Sequence, residues 1–132
     1  MANEAILVYE LSPPIPFTCA EDAGIPKGTI LQLTNPRTVS ASSADNQTFA
    51  GIAAGEKIDG DGKTKISVYT DGVFIITDSG AGVGVGDYAK IAGANLVATA
   101  DDAGAVGHNE VVGKMLETIG AGETGYCLVG RG

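Results

Sequence analysis

Glycine sets the terms on which this chain can fold. Twenty of its 132 residues are glycine, well above the roughly 7% average. They show no Gly-X-Y period, which excludes a collagen helix. They fall between short apolar runs, the punctuation of an all-β chain. The densest case runs from Gly80 to Tyr88, where every second residue up to Gly86 is glycine. A dinucleotide fingerprint needs Gly-x-Gly-x-x-Gly opening a helix whose N-terminus holds the pyrophosphate. Here the spacing is wrong, and the stretch from Asp87 to Gly93 is too short and glycine-bound for that helix. The run therefore reads as tight turns in a small barrel.

The length is that of one domain with a single core. A composition 44% hydrophobic and 18% charged is a folded one. The formal charge of -8 repels phosphates, so no direct contact with nucleic acid is expected. Cys19 and Cys127 lie far apart and read as two small buried hydrophobes rather than a disulfide framework. The opening MANEAILVYELSPP lacks the basic n-region of a signal peptide. No apolar stretch approaches the roughly 20 residues of a spanning helix, and no membrane partner is expected. Asn46-Gln47-Thr48 matches a glycosylation sequon, which carries no meaning without secretion.

Residues 1–17 read as an extended N-terminal arm, and 18–132 as a single β-barrel domain. In the arm, Ala5 to Glu10 is a short strand, and Ser12-Pro13-Pro14-Ile15-Pro16 is held extended by its prolines. Such an arm covers its own barrel or augments a neighbour's sheet. In the body, Lys65–Thr70 and Val73–Thr77 read as a hairpin around Asp71-Gly72. A two-residue loop puts Ile66, Val68, Val73 and Ile75 on one face and Tyr69, Phe74 and Ile76 on the other. Both faces are apolar, so the second needs a cover: the arm, a sister subunit or a larger assembly.

The two halves echo each other. Lys27-Gly28-Thr29-Ile30 aligns with Val85-Gly86-Asp87-Tyr88, and Phe49–Ala53 with Val111–Met115. The stretch 64–72 aligns with 124–132. The offsets of 58, 62 and 60 predict two similar β-halves closing one barrel.

No catalytic constellation emerges, and an enzyme is not expected. The sequence AGVGVGDY resembles a motif of trimeric dUTP pyrophosphatases, but Val85 stands where that family has its water-activating Asp. Asp59-Gly60-Asp61-Gly62 resembles the start of an EF-hand loop, yet its glycines are misplaced and Thr70 stands where the bidentate Glu belongs. It reads as a turn. His108 and Asp101-Asp102 read as solvated loop residues. Neither a metal nor a cofactor is expected. A second class remains open: a ligand- or glycan-binding barrel, which would need a concave site with converging polar and aromatic groups.

The succession AGIPKGTILQL, FAGIAAGEK, KISVYTDGVFII, GVGVGDYAKI, VVGKMLET and YCLVG resembles the small capsid decoration, or cement, proteins of tailed phages. The resemblance covers roughly Ala23 to Gly130. It implies an all-β, glycine-rich barrel of β-tulip type on the outside of an icosahedral head. It also implies a homotrimer that bridges major capsid subunits, made in the host cytoplasm and carried on the virion. On that reading Ile6, Leu7, Val8, Tyr9, Pro13 and Pro14 contact the capsid or a neighbour. Tyr69, Phe74 and Ile76 then lie at a subunit interface or under the arm.

Overall fold

Runs of four to seven residues rich in Val, Ile and Thr pair rather than coil, because branched side chains pack well on a pleated surface. A computed structural model describes residues 3–20, 23–44, 47–100 and 111–130, and forms eleven strands with no helix among them. Five close a first barrel in the order β2-β4-β3-β5-β6: β2 (Ile15–Thr18), β3 (Ile30–Asn35), β4 (Thr38–Ala41), β5 (Phe49–Ala53) and β6 (Lys65–Tyr69). The second barrel has β7 (Gly72–Asp78), β8 (Tyr88–Gly93), β9 (Leu96–Thr99), β10 (Val111–Met115) and β11 (Thr124–Val129). It closes because β7 pairs with both β11 and β9. Strand β1 (Ile6–Tyr9) adds antiparallel to β7.

The chain is all-β and barrel-forming, as its glycines require. The expected single closure is corrected: each half closes on itself. Each holds all five strands a small barrel needs, including a parallel pair, β2–β4 or β7–β9. The repeat extends to the register. Leu31 faces Ala41 as Ala89 faces Thr99, and both strand pairs carry a bulge at the same place. Ile30 faces Ile52 as Tyr88 faces Lys114. These pairs confirm the offsets of 58 and 62. The last offset is 59 rather than 60, since Val68 faces Ala53 as Cys127 faces Met115. One residue matters here, because it exchanges the faces of a strand.

The expected hairpin does not form. β6 takes β2 and β5 as partners, and β7 takes β1, β9 and β11. Asp71-Gly72 is the link between the barrels, not a hairpin tip. Within the stretch 1–17, the arm takes the first of its two expected roles and covers its own chain's barrel. β1 lies on the second barrel, and residue 17 lies inside β2 of the first.

Glycine is forced where strands approach most closely. A Cβ on Gly51 would sit 2.4 Å from the Tyr69 carbonyl oxygen, and one on the equivalent Gly113 would sit 2.2 Å from that of Leu128. No side chain fits at either bulge.

Each barrel has its own core. Leu31, Val39, Ile66 and Val68 fill the first, and Phe74, Ile76, Ile91 and Val97 lead the second. Ile30 and Ile52, on the outer face of the first barrel, join the second core, with Tyr69 packed against it. Between the barrels the buried Asn95 accepts from the Ile30 amide at 2.9 Å and donates its own amide to Ser42 Oγ at 3.1 Å. The first barrel thus sits on one open end of the second.

Candidate interaction surface

The glycine run is organised by a single carboxylate. Asp78 ends β7 and is buried. Its Oδ2 accepts the amides of Gly80 and Gly82, both at 2.8 Å, and of Gly122 at 3.1 Å. Burial pushes its pKa up, but the amide donors, Gly82 foremost, outweigh this and hold it below the usual carboxylate value. Gly82 has φ +85 and its α-carbon faces the Ile119 carbonyl, so the loop needs glycine there. The amides a phosphate would need donate to the protein's own aspartate instead.

Several other features are structural. Cys19 and Cys127 are free thiols buried in different cores. Burial pushes the Cys127 thiol to about 12 and raises that of Cys19. A groove of about 330 Å³ in the first barrel is lined by Gly24, Ile25, Pro26 and residues 56–59, with no aromatic among them. Beside it the buried Lys57 pairs with Asp61 at 3.2 Å, the first carboxylate after Asp59 in the expected turn. His108, Asp101, Asp102 and Asn46 lie outside the described residues.

The outer face of the second barrel is different in kind. Residues directly opposite on paired strands point the same way. One row runs Ile6, Ile75, Tyr126 across β1, β7 and β11, and reaches Leu116, whose amide donates to the Tyr126 carbonyl. The next row runs Tyr9, Val73, Leu128, Lys114, Tyr88. Ile6, Tyr9, Tyr88, Leu116 and Tyr126 are exposed, and Lys114 is the one charged residue in the two rows. The first barrel has Ser67 where the second has Tyr126, and Ala54 where it has Leu116. At these two positions the apolar side chain belongs to the second barrel alone.

The N-terminal segment continues this surface. Tyr9 is 64% exposed, and Leu11 and Pro13 are also exposed, while Leu7, Val8 and Pro14 are partly covered. Leu7 packs on the second core. The structure thus brings Ile6 and Tyr9 onto one face and leaves Leu11 and Pro13 accessible after them. Of the two places expected for Phe74 and Ile76, it corrects the subunit interface: each is 1% exposed inside the second core, where Leu7 of the arm pairs with Phe74 and packs on the same cluster. The displaced hairpin explains the error: β7 turns these side chains into its own barrel. Tyr69 lies where the barrels meet, edge-on to Phe74 with ring centres 5.7 Å apart. Its hydroxyl donates to Glu10 Oε1 at 2.9 Å, and that bond raises its pKa. Sequence reasoning missed Tyr88, Leu116 and Tyr126. The alternation of Tyr126 and Leu128 with Gly125, Cys127 and Val129 carried the signal.

The sequence matches no protein-family profile and no curated protein sequence. Among solved structures the chain is similar to the head fiber gp8.5 N base of bacteriophage phi29, with a TM-score of 0.57 at 17% identity. The match covers 88% of this chain and 93% of that one. At that identity the likeness establishes the fold.

Proposed function

We propose that this chain is a structural protein of a bacteriophage virion, mounted on the exterior of the head. It contacts major capsid subunits through the strip from Ile6 to Pro14 and bridges them as a homotrimer. Binding only the assembled shell, it stabilises that state by linkage, and three linked copies multiply weak contacts. The role is structural, with no chemistry and no contact with the packaged nucleic acid. The observation that carries this reading is the exposed apolar strip along β1 and the prolines after it. The fold shared with a phage head fiber base supports it.

The test is co-sedimentation of the purified chain with mature heads stripped of accessory proteins. Tyr9→Ser and Leu11→Ser remove exposed side chains and leave the β1–β7 backbone pairing intact. Each is expected to weaken binding by about tenfold, as a buried anchor does. Variants that bind like the wild type would remove the strip from the contact, and a wild type that binds no head would remove the function.

A further inference from the structure

We infer that copies of this chain associate head to tail, repeating between molecules the contact that joins the two barrels within one. The internal contact has two sides. On the first barrel it is the outer row Ile30, Ile52, Tyr69. On the second it is the open end of the barrel, where Phe74 and Ile91 point inward and Asn95 closes the rim. The row caps the opening, and Phe74 and Ile91 are 1% and 0% exposed as a result.

The tandem repeat supplies both sides a second time, and among the described residues nothing caps the one or sits over the other. The register places Ile15 where Phe74 stands and Leu33 where Ile91 stands. Both point inward, since they face the buried Val68 and Val39. Yet they are 47% and 39% exposed, because no described residue caps the end of the first barrel. The matching cap on the second barrel is the row Tyr88, Lys114, Leu128, with Tyr88 40% exposed. An uncapped mouth at one end and an uncovered cap at the other fit a second copy. Such a contact is heterologous, and it closes into a ring wherever its rotation divides a full turn.

Two substitutions between the repeats set its strength. Lys114 stands in the place of Ile52, and Arg37 in the place of Asn95. The copied contact brings two cations together between molecules of net charge -8, so added salt tightens it by screening.

The test needs no phage head, so its outcome is independent of the shell-binding proposal. Sedimentation equilibrium of the full chain at rising concentration and at 0.1 and 0.5 M salt, where the Debye length is about 10 and about 4 Å, reads the mass. The wild type is expected to associate, more tightly at the higher salt. Tyr88→Asp spoils the cap, and Ile15→Asp spoils the mouth. Leu33→Ser is the milder mouth variant, used if Ile15→Asp melts below the wild type. Each alone is expected to lose association at least tenfold. Mixed, a cap variant and a mouth variant retain one good contact and form a one-to-one dimer. A wild type that stays monomeric throughout overturns the inference. So does a mixture that stays monomeric while the wild type associates, because that is the behaviour of an isologous contact.

Discussion

Replacing Asp78 with Asn tests how the glycine-rich end of the second barrel is held. The change keeps shape and one acceptor oxygen but removes the charge. Three amides, those of Gly80, Gly82 and Gly122, converge on Oδ2. A hydrogen bond to a charged group exceeds a neutral one by about 1 kcal/mol, so the three together amount to about 3 kcal/mol. For a chain of this length that lowers Tm by about 10 °C. The sign of the pH dependence follows from the depressed pKa of Asp78. Its contribution is full above the ordinary value of 3.8 and disappears as pH falls through the lower folded value. Thermal melts followed by circular dichroism should therefore show a constant gap between wild type and Asp78→Asn from pH 5 to pH 8. The gap should narrow below pH 3.8. A variant melting within about 2 °C of the wild type at pH 7, or a gap that persists unchanged into acid, refutes the reasoning.

Gly51→Ala and Gly113→Ala each drive a Cβ into a strand carbonyl, and urea midpoints should report losses of about 3 kcal/mol or more. Phe74→Ala empties the second core and should cost about 3–5 kcal/mol in the same assay; a near-neutral result would return Phe74 to the surface. Cys19 and Cys127 should resist a thiol-specific disulfide reagent at pH 8 in the native state and react fully in urea. Burial shields both and holds Cys127 near 12, so fast native labelling would contradict it.

The strands of this fold were legible in proportion to their apolar content. The runs at 65–69, 72–78 and 88–93 show themselves in the sequence, and the repeat offsets show that the two halves correspond, but not which strands pair. β2 was hidden because Pro14-Ile15-Pro16 reads as extended arm. Prolines are tolerated there at a strand's start, where a missing amide leaves no ladder bond unmade. β4, Thr38-Val39-Ser40-Ala41, was lost among small polar residues, although its repeat partner β9 is plain. The Asp71-Gly72 turn signal predicts a hairpin, and no hairpin forms there. Local turn preference cannot tell a hairpin from a link between barrels when both flanking strands find longer partners elsewhere. That single error turned Phe74 and Ile76 outward. The exposed strip at Ile6 and Tyr9 was visible because nothing in the arm's own sequence covers it. Of the face at Tyr88, Leu116 and Tyr126, the alternation in β11 marks only Tyr126; the other two join it only once β8, β10 and β11 are set side by side.

The central claim is that this chain binds and stabilises a phage head. The measurement that bears on it most directly is the number of copies bound per stripped mature head, with the change in the temperature at which the head breaks open. The account predicts saturable binding in a ratio matching the local three-fold positions of the shell, together with a raised disruption temperature. Binding that never saturates, or saturation that leaves the disruption temperature unchanged, would contradict it.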